Sequence, residues 1–72
     1  MITYYVQEEN LYHTEIGFYT SFGILALQND KLIGHVSDVF EDREKADTFV
    51  KLCNESQLDI IHLYDVIDDA LS

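Results

Sequence analysis

Apolar positions alternate with polar ones at a period of two over the first forty residues; after Phe40 they recur at intervals of three and four. Residues 2–7 set Ile2, Tyr4 and Val6 against Thr3, Tyr5 and Gln7, which predicts a first strand. The polar run Glu8-Glu9-Asn10 is expected to end it. Residues 11–17 read two ways. Tyr12, Thr14 and Ile16 alternate as a short edge strand would, whereas His13, Glu15 and Gly17 suit an irregular loop. Over residues 18–28 the pattern sharpens, with Phe22, Ile24 and Ala26 on one face and Leu25 and Leu27 on the other. Two apolar faces predict a central strand covered at least partly on each side. Asn29-Asp30 is a two-residue turn, and residues 32–39 supply the returning strand of a hairpin.

Beyond Phe40 the stripe Ala46, Phe49, Val50 and Cys53 marks one face of a helix. Asp42 or Glu41 can cap its start, Glu44 sits in the first turn where the helix dipole favours an acid, and Asn54 is the expected stop. A second stripe, Leu63, Val66, Ile67, Ala70 and Leu71, follows Asp59 as its N-cap, with His62 placed to assist the helix start. The order predicts a single α+β domain over residues 1–72. It is an antiparallel meander of three strands, or four if residues 11–17 form one, followed by two α-helices packed on one face.

Charge changes the picture more than composition does. Fourteen acids face four bases, a net charge of −10. Nucleic acid and anionic membrane are therefore excluded as direct partners, because both attract Lys and Arg. Residues 41–72 hold nine of the acids. Asp65, Asp68 and Asp69 stand at i, i+3 and i+4 on one helical face, where like charges repel and where the C-terminal end of the dipole is already negative. Such a surface either keeps the protein soluble or meets a basic partner. On the second reading the candidate contact residues are Tyr64, Asp65, Asp68 and Asp69 with Glu41, Asp42 and Glu44.

The chemistry of enzymes is poorly represented. His13, His35 and His62 show no metal-ligand spacing with each other or with the sole cysteine, so no metal or other cofactor is expected. Cys53 lies on an apolar helix stripe near a helix C-terminus, which reads as core rather than nucleophile. No nucleophile–base pair and no glycine-rich phosphate loop are present. The aromatic residues Tyr4, Tyr5, Tyr12, Phe18, Tyr19 and Phe22 lack the basic groove that a nucleic-acid stacking platform needs. Those not used in the core are candidates for a partner surface or a homodimer interface. Neither a signal peptide nor an apolar span is visible, so the expected location is a reducing cytoplasm.

The block Tyr19-Thr20-Ser21-Phe22-Gly23-Ile24 resembles a strand motif in a family of small uncharacterised proteins from anaerobic Gram-positive bacteria. Leu52-Cys53-Asn54, Leu58-Asp59 and the run from Ile61 to Asp69 are similar to that family's closing signature, with Ile60 where the family carries Pro. The resemblance spans residues 18–71. It implies a shared fold and a cytoplasmic bacterial or mobile-element origin, and no activity.

The expected function is that of a small acidic, non-enzymatic module binding a basic protein surface. In size and charge it is similar to phage-encoded inhibitors of nucleic-acid machinery, anti-CRISPR proteins among them. The alternative is a homo-oligomeric housekeeping or regulatory protein whose acidity serves solubility.

Overall fold

The computed structural model describes residues 1–72 as one antiparallel sheet with helices on one of its faces. Strands β1 (Ile2–His13), β2 (Gly17–Gln28) and β3 (Lys31–Phe40) lie in that order across the sheet. Helix α1 (Arg43–Glu55) follows, then a 3₁₀ turn at Ile60–His62 that runs directly into α2 (Leu63–Leu71). The α+β architecture is the one predicted, with three strands and no fourth.

The first strand is longer than its polarity pattern suggests. Glu8, Glu9 and Asn10 do not end β1; they pair with Phe22, Ser21 and Thr20 in unbroken register, and the turn comes only at residues 14–16. An edge strand tolerates this run because neither face there must be apolar: pairing with β2 satisfies the backbone groups turned inward, and water reaches those turned outward. Residues 11–13 are therefore the end of β1, and 14–16 the turn. Beyond the row joining Phe22 to Phe40, β1 and β2 continue as a two-stranded arm without β3 beside it.

The β2–β3 turn forms as the sequence predicts. Asn29 and Asp30 have φ of 52° and 64°, the left-handed pair of a type I′ turn. Farther along, β3 carries two irregularities. Ile33 is an extra residue between the pairs Ala26–Gly34 and Leu27–Leu32, and Ser37, Asp38 and Val39 together oppose the single Gly23. Gly23 is required there: a Cβ would lie 2.7 Å from the Val36 carbonyl oxygen and 2.8 Å from the Glu9 carboxylate.

The core lies between the sheet's inner face and the helices. Tyr4, Phe22, Ile24 and Ala26 come from β1 and β2, Val39 and Phe40 from β3, Ala46, Phe49, Val50 and Cys53 from α1, and Leu63 and Ile67 from α2. The α1 stripe is buried as predicted, and the Phe40 and Phe49 rings pack 5.4 Å apart. In α2 only Leu63 and Ile67 are buried, with Val66 half-buried; Ala70 and Leu71 are exposed because the helix end overhangs the core. The outer face of the sheet carries no second layer. Leu25 and Leu27 are half-buried only by neighbouring side chains, which corrects the expectation of cover on both sides.

Helix ends also depart from expectation. Asp42 caps α1, accepting the Glu44 N–H at 2.9 Å, as predicted. Asn54 does not stop the helix. The chain turns at Gln57, φ 52°, with Gln57 N–H donating to Asn54 O and Leu58 N–H to Cys53 O, a Schellman arrangement. Asp59 caps the 3₁₀ turn rather than α2 itself, accepting the Ile61 N–H at 3.2 Å, and His62 makes no side-chain capping bond. Gln57→Gly relieves a left-handed residue with a Cβ, offset partly by glycine's greater chain entropy, and is expected to stabilise by about 0.5–1 kcal/mol. A denaturation midpoint at or below the parent's would contradict this geometry.

Candidate functional site

Of the acidic candidates, Glu41, Asp42, Asp68 and Asp69 fall at two adjoining helix ends. The N-terminus of α1 lies beside the C-terminal turn of α2, so Glu41 and Asp42 share a depression of about 360 Å³ with Lys45, Ala70 and Leu71. Asp69 directly precedes Ala70, and Asp65 stands one turn earlier along α2. Glu44 does not join them: its position on α1 is nearly opposite the buried stripe, on the solvent face. Asp42 is committed to its cap.

At 100° per residue, Asp65, Asp68 and Asp69 form the exposed crest of α2, opposite Leu63 and Ile67. None of the three takes part in an ion pair. The ion pairs are Arg43–Glu8 at 3.5 Å and Arg43–Asp47 at 3.8 Å, and the His35 ring lies 3.5 Å from the Glu9 carboxylate. No basic residue occupies the last turn of α2, and the Ser72 hydroxyl is the side-chain donor to its final carbonyls, at 2.7 Å from Asp68 O and 3.3 Å from Asp69 O.

Tyr64 is 66% exposed, as an anchor should be, but it does not share a flank with Asp65. Its helical neighbours are Asp68 at i+4 and Leu71 at i+7. The other flank of α2, carrying Val66 and Ala70, faces α1 across an open groove.

That groove is the feature the sequence reading missed. The two helices touch only glancingly: α1 lies along the sheet, whereas α2 adjoins the 3₁₀ turn and reaches the core through Leu63 and Ile67. Between them lies an apolar depression of about 260 Å³ lined by Phe49, Leu52, Cys53, Leu58, Val66 and Ala70, with Ser56 the one polar neighbour. A second depression, of about 220 Å³, continues it past Thr48 and Lys45 toward Phe40. The signal in the sequence is Leu52: it stands off the buried stripe, one turn from Phe49, and is 60% exposed. Cys53 on the floor is buried, and burial pushes its thiol pKa up, which keeps it protonated and poorly nucleophilic.

A second cluster occupies the outer face of the sheet. The Glu9 side chain crosses Gly23 and accepts the Asp38 N–H at 2.9 Å and the Ser37 hydroxyl at 2.9 Å. Asp38, φ 58°, accepts from the buried Ser21 hydroxyl at 2.6 Å and the Tyr19 hydroxyl at 2.9 Å. The last bond needs the phenolic proton and so pushes the Tyr19 pKa up. These groups are mutually satisfied and hold the β3 bulge in place. The histidines contribute no centre: no three His, Cys, Asp or Glu side chains converge in metal-binding geometry. At the tip of the arm Phe18, 84% exposed, packs edge-on against Tyr12 at 5.0 Å, with Ile16 beside them in the turn.

A family described only as of unknown function, DUF6514, matches the chain over residues 1–72. The chain belongs to DUF6514. The match includes the first strand and the turn after it, which lie outside the span of residues 18–71 that the resemblance covered. No curated protein and no solved structure matches this DUF6514 member. No helix in it is long and apolar enough to cross a membrane.

Proposed function

We propose that this DUF6514 member is a small non-enzymatic binding protein whose acidic helix α2 engages a basic surface of another protein. The observation that carries this reading is the crest of α2. Three carboxylates stand unpaired on one exposed face, although Lys31, Lys45 and Lys51 elsewhere in the chain make no ion pair. Asp65 lies in the first turn, not at the C-terminal end where the sequence pattern put it, whereas Asp68 and Asp69 crowd the end that the helix dipole disfavours. Such charges cost a few tenths of a kcal/mol each in the free protein, and a cationic partner reverses the sign. Exposed apolar groups flank them, Tyr64 and Leu71 on one side and the groove on the other. Charge gives rapid encounter and apolar anchors give residence time.

The reading extends to a setting in a bacterial or phage-infected cytoplasm, with a surface built for nucleic-acid phosphates as the natural counterpart. Inhibitors of nucleic-acid machinery, of the anti-CRISPR kind, use that chemistry. Self-association is the second reading, and the exposed Tyr12–Phe18 pair at the arm tip favours it; a protein that sediments as a monomer removes it.

Capture from a host lysate followed by binding kinetics tests the main reading. Asp65→Lys combined with Asp69→Lys is expected to abolish binding of the captured partner while leaving the fold intact, since the favourable first-turn charge lost at Asp65 offsets the unfavourable last-turn charge removed at Asp69. The wild-type association rate should fall by about tenfold or more from low to high salt. Tyr64→Ala should chiefly speed dissociation. Full affinity in the double lysine variant would eliminate α2 as the contact.

A further inference from the structure

The groove between α1 and α2 remains open in the folded chain, and its chemistry restricts what can fill it. Its floor and walls are apolar, with Phe49, Cys53, Leu58 and Val66 below and Leu52 standing on the α1 rim. The α1 and α2 backbone along it is bonded within its own helices. In the turn beyond α1, Ser56 and Leu58 donate their N–H groups to Leu52 O and Cys53 O, and Leu58 O accepts the Tyr4 hydroxyl. The groove therefore offers an occupant few main-chain hydrogen bonds. An extended peptide seated there would leave its own N–H and C=O groups without partners on the buried side, whereas a helix satisfies them internally.

Length agrees with this. From Lys45 to Ser56 the α1 wall rises about 16 Å, three helical turns, enough for anchors at i, i+3 or i+4, and i+7. The charges beside it are nearly all of one sign. Asp65 and Asp69 border the α2 rim, Glu41 and Asp42 close one end, and Lys45 is the sole cation among the lining residues. A second copy of this chain carries net charge −10 and would be repelled.

We propose that the α1–α2 groove receives an amphipathic helix from a partner protein, its apolar stripe on Leu52, Phe49 and Val66 and its flanking lysines or arginines against Asp65, Asp69 and Glu41. The proposal rests on the reading of this protein as a binder of basic protein surfaces, and adds the site and the form of the ligand.

Selection from a phage-displayed library of random peptides of about 14 residues, four helical turns, tests it, with the full chain immobilised as bait. Enriched peptides should be cationic and carry apolar residues at i, i+3 or i+4, and i+7. In an NMR titration with the best of them, amide shifts should centre on Leu52, Val66 and Ala70. Leu52→Glu, at an exposed rim position that leaves the core untouched, should weaken binding by about tenfold or more. Affinity within about twofold of wild type in Leu52→Glu, or shifts confined to the outer face of the sheet, would overturn the proposal.

Enrichment of cationic peptides without apolar spacing, sensitive to Asp65→Lys with Asp69→Lys but not to Leu52→Glu, would overturn the groove while upholding the acidic crest. No enrichment would also overturn the groove and leave the crest to the captured-partner experiment. A dimer that Leu52→Glu dissociates would show a second copy in the groove and would likewise overturn a foreign helix.

Discussion

Phe49→Ala is expected to destabilise the protein by about 3–5 kcal/mol, and Ile67→Ala by about 2–5 kcal/mol. Both side chains are more than nine-tenths buried, and each ties one helix to the sheet. A domain of this length holds roughly 4–11 kcal/mol in all, so either substitution removes a large part of it. The control is Leu71→Ala. Leu71 belongs to the same sequence stripe as Ile67 but is exposed on the overhanging end of α2, and its loss should change stability by less than about 0.5 kcal/mol. Urea unfolding followed by circular dichroism compares the three. Equal losses for Ile67 and Leu71 would contradict the overhang.

The second large effect belongs to Asn54. Its side-chain oxygen accepts the Tyr4 N–H at 2.8 Å and its amide donates to the Tyr4 carbonyl at 3.0 Å, while the Tyr4 hydroxyl donates to Leu58 O at 2.7 Å. This clasp joins the edge of β1 to the end of α1. Asn54→Ala orphans two backbone groups at once and is expected to cost about 2–3 kcal/mol. Asn54→Asp keeps the acceptor but turns a carboxylate oxygen toward the Tyr4 carbonyl, so it should not rescue. A loss below about 0.5 kcal/mol in the alanine variant would show that water replaces the amide without penalty.

The same region makes the protein sensitive to alkali. Burial raises the Tyr4 pKa above its ordinary 10.0, with Cys53 and Asp59 adding to the effect, and burial raises Cys53 above 9.0. The folded chain holds both protons more tightly than the unfolded chain does. Stability from this source is whole below pH 9 and is lost as pH rises through the elevated folded values. Thermal melting should therefore fall between pH 9 and 11, and Tyr4→Phe with Cys53→Ala should flatten that slope while lowering the plateau.

The sequence made the helix stripes and the β2–β3 turn legible because each is a local rule. Ala46, Phe49, Val50 and Cys53 must share a face in any helix, and Asn29-Asp30 tolerates the positive φ that a type I′ turn demands. Glu8 to Asn10 misled because polarity reports exposure, and an edge strand is exposed without ceasing to be a strand. Asn54 misled in the opposite way. Its stop signal is real as a local preference, but the amide is worth more bridging to Tyr4, and Gln57 takes the left-handed turn instead.

The acidic candidates were legible only as a set of like charges. Their division between a crest, a cap and a solvent face depends on how α1 and α2 sit on the sheet, which no single stripe encodes. The groove follows from the same placement. Phe49 and Val66 are apolar whether a neighbour covers them or not, so a sequence pattern cannot distinguish a filled seam from an open one.

The two-stranded arm has a dynamic consequence. From Asn10 to His13 and from Gly17 to Thr20, the ribbon has neither a third strand beside it nor a helix beneath it. Separating those two strands exposes none of the twelve core side chains, so the opening need not wait for global unfolding. Its amides should exchange with solvent through a local excursion of lower free energy than the one that releases Ile24 or Leu63. The contacts that such an excursion must break are the Tyr12–Phe18 ring pair, the Thr20–Asn10 hydrogen bond across the ribbon and the tether of the Tyr19 hydroxyl to Asp38 of β3.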